Sequence, residues 1–283
     1  MTSKFKPITI DLNIDGGLTS ISCGHIIVEL VKFLTYQRLQ IPYTYQWLKQ
    51  IVNKRKLCED ELKPLSFQAE SHYHTVSTSL NNLDFILKSI LQEINGCCMP
   101  QEICIALGGT PVAFKEVYRL LLPACHKVQC HSVEIASDQK IQRNVFRTLV
   151  TSEKLSELFT SPLPPTNMYV LVKKRQNNVS DLSCSDNFVY TNGYWIPRTS
   201  KVVVINFNCC QEDYFDCCSE FQVFGDIGND LEKLKIEDNG KNEEQVFEIE
   251  STDNEKWYQS TYVMKGFKDC FINGSSVMNS WTD

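Results

Sequence analysis

The chain has 283 residues, of which 42% are hydrophobic, and it carries a formal net charge of −6. This length fits one large domain or two small ones, and the hydrophobic fraction excludes a wholly disordered chain. A negative chain has no global basic field, so we expect no nucleic-acid partner. No apolar run reaches the ~20 residues that span a bilayer, so we expect no membrane partner. The first residues, MTSKFKPITIDLNIDGG, lack the apolar segment of a secretory signal.

Thirteen cysteines without a secretory signal argue against a disulfide scaffold and favour a reducing compartment, the cytosol or the nucleus. Cys104, in the apolar string EICIAL, is expected to behave as a small buried hydrophobe. Structural zinc sites usually pair cysteines two to four residues apart. The chain instead has adjacent ligand pairs at 125–126, 130–131, 209–210 and 217–218. We therefore predict no metal, with a zinc- or thiol-dependent protein as an alternative.

The first half of the chain is predicted to be mainly helical. In residues 20–40, apolar residues recur at spacings of three and four, which predicts an amphipathic helix ended by Pro42. The charged, irregular residues 53–73 predict a loop, with His72 and His74 on its surface. Residues 75–95 show the clearest helical periodicity.

A short strand and further helices are predicted next. EICIALGG (102–109) indicates a buried strand stopped by two glycines. Thr110-Pro111 followed by VAFKEVYRLLL predicts a helix with proline at its first position. Ser137 or Asp138 is expected to cap the helix QKIQRNVFRTLV, and a last helical piece covers 152–159.

The second half of the chain is predicted to consist of strands. The β-branched or alternating segments are MYVLVKK (168–174), KVVVINFN (201–208), EFQVF (220–224) and KWYQSTYVMKGF (256–267). The acidic stretch 225–256 is predicted to be a disordered insertion. Helices that precede strands along the chain predict an α+β fold.

No motif of a common enzyme class is present. The chain lacks a Gly-x-Ser-x-Gly elbow, a phosphate loop, His-Glu-x-x-His and a dinucleotide fingerprint, and LGGTP lacks the lysine of a phosphate cradle. We therefore expect no catalytic activity and no cofactor.

The helix QKIQRNVFRTLV contains a candidate binding residue. Ile141, Val145 and Leu149 form a narrow core stripe, and Phe146 lies about 100° round the helix from Val145. Its polar neighbours on that side include Arg143. An apolar centre with a polar rim is typical of an interface anchor. The alternative is that Phe146 only widens the core stripe.

Five segments carry a resemblance to a known family: FLTYQRLQIPYTYQWLK, ALGGTPVAFKEVYRL, RNVFRTLVTSEKLSEL, YWIPRTSKVVV and WYQSTYVMKGFKD. Between Ile21 and Asp269 they resemble, in order and spacing, the comet family of HORMA-fold proteins that bind the spindle-checkpoint protein Mad-two. The resemblance implies a mixed or antiparallel sheet backed by three main helices, with a C-terminal safety-belt segment in the closed arrangement. The HORMA-like domain would span 15–270, with an N-terminal extension (1–14) and a C-terminal tail (271–283).

The resemblance also implies a function. Comet-like proteins are non-catalytic adaptors that bind closed Mad-two through a HORMA–HORMA interface. They deliver it to an AAA+ remodelling ATPase of the pachytene-checkpoint family. This delivery silences the mitotic checkpoint. The expected location is the nucleus and cytoplasm, with spindle or kinetochore association in mitosis. The alternative is a HORMA module of another pathway, such as autophagy or translesion synthesis.

Site residues follow by matching positions. The family's partner-contact glutamine falls on Gln37 and its third-helix aromatic on Phe146, so both are expected to contact Mad-two. The surrounding contacts to Mad-two are then predicted to be Arg38, Gln142, Arg143 and Arg147. The aromatics after Pro42 are expected to be core residues.

The implied ATPase contact departs from the family pattern. Where the family has a Pro-Lys pair, this chain has Tyr190 and Thr191. Arg198 or Lys201 is expected to supply the missing charge.

Overall fold

The computed structural model describes residues 6–14, 18–57, 66–96, 98–123, 138–175, 186–194, 196–209, 255–272 and 274–281. Its helices are α1 (Ser20–Gln37), α2 (Tyr45–Leu57), α3 (Phe67–Asn95), α4 (Asp138–Thr151), α5 (Glu153–Thr160) and a short 3-10 helix (Val277–Trp281). Its strands are β1 (Ile8–Ile14), β2 (Glu102–Gly108), β3 (Phe114–Leu121), β4 (Asn167–Arg175), β5 (Phe188–Thr191), β6 (Lys201–Cys209), β7 (Glu255–Ser260), β8 (Met264–Lys265), β9 (Phe271–Ile272) and β10 (Ser275–Ser276).

A mixed sheet forms the centre of the described chain. Eight strands take part, in the order β1-β6-β3-β2-β4-β7-β5, and β8 pairs with β4. β1 and β3 run parallel to β6, and the other pairs in the sheet are antiparallel. Strands β9 and β10 form a separate hairpin. This mixture of helices and a large mixed sheet agrees with the predicted α+β class.

The helices cover one face of the sheet. Alternate residues of β2, such as Ile103 and Ile105, share a hydrophobic cluster with all five α-helices. The other set of alternate residues in β2 points to the opposite face, where Cys104 and Ala106 belong to a smaller cluster. Cys104 is fully buried, which confirms the prediction of a small buried hydrophobe, and this burial raises the pKa of its thiol to about 12.

The predicted loop over 53–73 is wrong at both ends, because residues 53–57 and 67–73 are helical, while residues 58–65 lie outside the described residues. α2 extends to Leu57, and although its surface is mostly polar it buries Leu48 and Val52. α3 begins at Phe67, where the Ser66 hydroxyl accepts a hydrogen bond from the Ala69 N–H at 3.3 Å. The predicted helices at 20–40, 75–95, 139–150 and 152–159 are confirmed, with the bounds given above.

The helix predicted after Pro111 is also wrong, because this segment forms strand β3. Its turn from β2 is tight, since the Ala113 N–H donates to the Thr110 carbonyl at 3.0 Å. A Cβ on Gly108 would lie only 2.5 Å from the Ala113 carbonyl oxygen, so the hairpin needs glycine there. β3 then pairs with β2 on one side and β6 on the other.

The first described strand lies inside the predicted N-terminal extension. β1 pairs with β6 along its whole length and buries Ile10, Leu12 and Ile14. The alternation in ITIDLNI is the period of a half-buried strand, so residues 8–14 belong to the sheet.

The predicted C-terminal tail is likewise part of the folded structure. The 3-10 helix buries Val277, Met278 and Trp281. The Trp281 ring lies 5.7 Å from the ring of His72 and 5.2 Å from that of Tyr73, measured between centroids. His72 is therefore largely enclosed on α3, and desolvation lowers its pKa, so its predicted surface position is wrong. His74 is exposed as predicted, although it lies on a helix.

Several predictions lie outside the described residues. These are the strand at 220–224, the ligand pairs at 125–126, 130–131 and 217–218, Cys210, and the acidic stretch except Glu255 and Lys256, which lie in β7. Among the residues that the structure does describe, no three histidine, cysteine or acidic side chains group as a metal site would require. None of the described helices combines the length and apolar character needed for a membrane crossing.

Candidate functional site

A groove opens between α1, the start of α2 and α4. It encloses about 310 Å³ and is lined by Glu29, Lys32, Phe33, Tyr36, Thr44, Tyr45, Gln46, Gln142 and Phe146. Four of the lining side chains are aromatic, and they come from all three helices. The groove is therefore an apolar depression with polar groups around it, a combination typical of protein interfaces.

Phe146 stands at the α4 side of this groove because of the phase of its helix. Ile141, Val145 and Leu149 face the core as predicted, with exposed fractions of 4%, 3% and 1%. Phe146 is turned away from that stripe and is half-buried. Its ring meets the ring of Phe33 edge-on, with centroids 5.7 Å apart. One part of the ring is thus held by α1, and the rest lines the groove.

Tyr45 forms the opposite wall, and its position is constrained by charged neighbours. The Tyr45 hydroxyl donates a short hydrogen bond to the Asp84 carboxylate and accepts one from Lys49 at 2.9 Å. The Lys32 ammonium lies 4.8 Å from the centre of the Tyr45 ring and 2.6 Å from a Glu29 carboxylate oxygen. Burial, followed by the bond to Asp84, raises the pKa of Tyr45, so the phenol stays neutral. Tyr43, Tyr45 and Trp47 all pack against the core while half-buried, which partly agrees with their predicted core role.

Gln37 lies close to the groove without lining it. It follows Phe33 by four residues, so both lie on the same side of α1. The Gln37 side chain is half-buried. On α4, Gln142 lines the groove one turn before Phe146, while Arg143 and Arg147 are exposed. The structure therefore brings most of the predicted partner contacts to one region.

Arg38 is the exception, and its predicted role as a partner contact is wrong. Its side chain is 2% exposed and forms a two-pronged ion pair with Glu116 of β3. The Arg38 Nε donates to Glu116 Oε2 at 2.8 Å and Nη2 donates to Oε1 at 2.6 Å. The guanidinium also donates to the carbonyls of Phe159 (3.4 Å) and Ser161 (3.0 Å). Arg38 therefore joins the end of α1 to β3 and to the end of α5.

Tyr118 completes this buried polar cluster. Its hydroxyl donates to Glu116 Oε2 at 2.9 Å. Burial and the neighbouring Glu116 charge raise the pKa of Tyr118 well above its ordinary value, so it remains a neutral donor. The cluster of Arg38, Glu116 and Tyr118 fixes the backbone at the end of α1, next to the groove.

The predicted ATPase residues do not form one patch. Tyr190 and Thr191 lie on β5, an edge strand of the described sheet, and Tyr190 is 56% exposed. Lys201 begins β6, which β3, β2, β4 and β7 separate from β5, and its ammonium donates to the Ser161 hydroxyl at 2.9 Å. Arg198 is exposed in the connection between them. Lys201 is thus placed away from Tyr190 and Thr191, where it was predicted to supply the missing charge.

Seven of the nine groove-lining residues were absent from the predicted site. Phe33 belonged to the apolar stripe predicted for residues 20–40 and Tyr45 to the expected core, while the other five were not assigned: Glu29, Lys32, Tyr36, Thr44 and Gln46. The helical spacing of residues 29, 33 and 36 puts them on one side of α1 and is a signal that the sequence contains. That α2 and α4 leave this side open is visible only in the structure.

Comparison with known proteins adds independent information about this chain. A family profile described as "p31comet: Mad1 and Cdc20-bound-Mad2 binding" matches residues 3–224, which include α1, α4 and the groove. The MAD2L1-binding protein of Mus musculus is 28% identical over 201 residues, which cover 69% of this chain and 67% of the mouse protein. The MAD2L1-binding protein of Homo sapiens is 26% identical over 198 residues, which cover 69% of this chain and 68% of the human protein.

Proposed function

The chain belongs to the p31comet family, and we propose from this premise that it binds the closed conformer of Mad2 (Mad-two) through the groove surface. The groove surface comprises the groove, Gln37 and the exposed side of α4. The mouse and human relatives of the chain are named as MAD2L1-binding proteins, and the family match covers every element of the groove surface. The chain then acts as a non-catalytic binding protein.

The observation that carries this proposal is the position of Phe146. Its ring is half-buried, packs on Phe33 and lines an apolar groove. An aromatic that is immobilised at its base loses little side-chain entropy when a partner covers the rest of it. Such residues account for most of the binding free energy in protein interfaces.

The experiment is the substitution Phe146→Ala. We expect the free energy of binding to closed Mad2 to weaken by roughly 2 kcal/mol or more, because an aromatic anchor is removed. The dissociation constant would be measured by isothermal titration calorimetry on the full chain. A thermal melt would confirm that the variant stays folded.

The matched control is Phe85→Ala. Phe85 is a 45% exposed aromatic on α3 that stacks on Tyr262 with centroids 4.6 Å apart, so it also loses one ring contact. This variant should bind closed Mad2 as the wild type does. Unchanged affinity of Phe146→Ala would show that the groove surface is not the Mad2 site.

The polar residues around Phe146 are suited to orienting the partner. Arg143 and Arg147 are exposed on α4 beside it, and Gln37 lies across on α1. Exposed charges at an interface rim affect association rate and orientation more than affinity. Their substitution is therefore expected to have smaller effects than that of Phe146.

The proposal includes a HORMA domain with its C-terminal segment closed over the body. Support comes from hydrogen bonds that hold this segment in place. The Ser79 hydroxyl and the Asn82 amide on α3 donate to the carbonyls of Lys265 (2.8 Å) and Val263 (3.0 Å). The Phe267 N–H donates to the Gln40 carbonyl at 2.9 Å. These contacts join the C-terminal segment to α3 and to the turn after α1, as a closed arrangement requires.

The wider role we propose is delivery of closed Mad2 to a pachytene-checkpoint AAA+ ATPase, which silences the mitotic checkpoint. A protein that binds only the closed conformer stabilises that conformer and cannot open it. The energy for opening must then come from ATP hydrolysis by another protein. The adaptor raises the effective concentration of closed Mad2 at the ATPase. This role places the chain in the nucleus and cytoplasm.

A further inference from the structure

The chain leaves α1 through a turn whose geometry calls for glycine. The Leu39 N–H donates to the Tyr36 carbonyl at 2.9 Å, and the Gln40 N–H donates to the Thr35 carbonyl at 2.9 Å. This pair of hydrogen bonds defines a Schellman motif, in which residue 39 must adopt a left-handed conformation. Its φ is +51°, and Leu39 is the one non-glycine residue with positive φ in the described part of the chain.

A leucine at this position raises the energy of the fold without contributing to the core. In the left-handed conformation the Cβ of an L-residue approaches the following carbonyl oxygen, which is why glycine is usual there. The hydrophobic contact that often accompanies this motif would join residues 35 and 40, which are threonine and glutamine here. Leu39 itself is 60% exposed. Packing against the described residues therefore does not account for the leucine.

The residues on either side hold the turn rigidly. Arg38 is 2% exposed and Gln40 is fully buried. Arg38 is bound by Glu116, and the Gln40 side chain donates to the Arg38 carbonyl and accepts from the Thr166 N–H, both at 2.7 Å. Because Arg38 and Gln40 are both buried and hydrogen-bonded, they fix the backbone conformation of the residue between them. The side chain of Leu39 then points into solvent.

Leu39 also follows closely on residues of the groove surface along the chain. It is hydrogen-bonded through its backbone to Tyr36, which lines the groove and is 39% exposed. Gln37 lies two residues before it. We infer that Leu39 is an apolar contact of the docking face, presented by a preorganised turn to an uncharged, apolar part of closed Mad2. This inference rests on the proposed Mad2 binding.

The decisive variant is Leu39→Gly, because glycine suits the turn and removes the side chain. We expect an unchanged or higher melting temperature together with a dissociation constant for closed Mad2 roughly five- to thirtyfold larger. Leu39→Asn, which also tolerates the left-handed conformation, should weaken binding similarly. Leu39→Met should bind within about twofold of wild type, because it keeps an apolar side chain of similar volume.

The matched control is Val189→Ala, since Val189 is a 58% exposed aliphatic residue on β5. This variant should leave Mad2 binding unchanged. Wild-type affinity in Leu39→Gly, with loss of binding in Phe146→Ala, would overturn the role of Leu39 while the proposed function stands. A wild-type chain that does not bind purified closed Mad2 would overturn both.

Discussion

Gln37, Arg38 and Leu39 are consecutive residues with three different environments. Gln37 is half-buried at the edge of the groove surface, Arg38 is enclosed by an ion pair, and Leu39 is exposed. Arg38 follows the buried Leu34 by four residues and so continues the core stripe of α1. Because the buried face of α1 ends in the cationic Arg38, it requires a buried anion, and Glu116 is that anion. The candidate interface residues Gln37 and Leu39 therefore depend on a buried polar cluster beneath them.

A residue-scale prediction tests this dependence. Arg38→Ala leaves the Glu116 carboxylate buried without its counter-ion, so we expect the free energy of unfolding to fall by about 3–5 kcal/mol. Combining Arg38→Met with Glu116→Gln should recover part of that loss, because no charge is then left inside and Tyr118 keeps an acceptor. Urea denaturation followed by circular dichroism measures both. A loss below about 1 kcal/mol for Arg38→Ala would fit a surface charge instead.

The two terminal elements show how the fold is closed. β1 adds a parallel edge strand at one side of the described sheet, and the 3-10 helix packs near α2 and α3. Neither element could bury its apolar residues alone. Trp281 is fully buried, and Tyr73 and His72 of α3 lie around its ring. The C-terminal element therefore stabilises the helical layer.

An element-scale prediction follows for Trp281. Trp281→Ala should lower the free energy of unfolding by about 3–5 kcal/mol, because it removes a large side chain from a closely packed site. Phe271→Ala, in the adjacent β9–β10 hairpin, is the control, since Phe271 is 64% exposed and should change stability by no more than about 0.5 kcal/mol. Thermal and urea denaturation give both values. Equal effects of the two substitutions would contradict the packing role of Trp281.

At the scale of the whole molecule, the groove surface and β5 lie towards opposite edges of the described sheet. α4 packs against β1, and β1 and β5 are the two ends of the strand order in the described sheet. Neighbouring strands lie about 4.8 Å apart, so six steps separate these edges by roughly 30 Å. A partner on the groove surface therefore leaves β5 accessible to a second partner. This separation suits an adaptor that holds two proteins at once.

The corresponding prediction uses a reciprocal pair of substitutions. Tyr190→Ala should weaken binding to the pachytene-checkpoint AAA+ ATPase and leave closed Mad2 binding unchanged, because Tyr190 is exposed on β5. Tyr36→Ala, in the groove, should weaken Mad2 binding and leave ATPase binding unchanged. Biolayer interferometry with each purified partner measures all four affinities. If Tyr190→Ala binds the ATPase normally, β5 is not the ATPase contact.

The sequence by itself determined those elements whose hydrophobic periodicity fits either a helix or a strand but not both. The buried stripe of α4, the apolar strands β2, β4 and β6, and the buried thiol of Cys104 were all predictable. Segment 114–121 was not, because Phe114, Val117, Tyr118 and Leu121 also satisfy helical spacing. Its position between β2 and β6 decides in favour of a strand, since pairing on both sides satisfies its backbone hydrogen bonds.

Only the tertiary structure decided which polar groups are buried and which apolar groups are exposed. Glu116, the partner of Arg38, lies 78 residues away along the chain, and Thr166, which fixes Gln40, lies 126 residues away. Local periodicity contains no information about such distant partners. The exposure of Leu39 depends on both contacts, because they fix the backbone on either side of it. Apart from β3, the elements named above are therefore set by nearby residues, whereas the candidate binding surface is set by contacts between segments far apart in sequence.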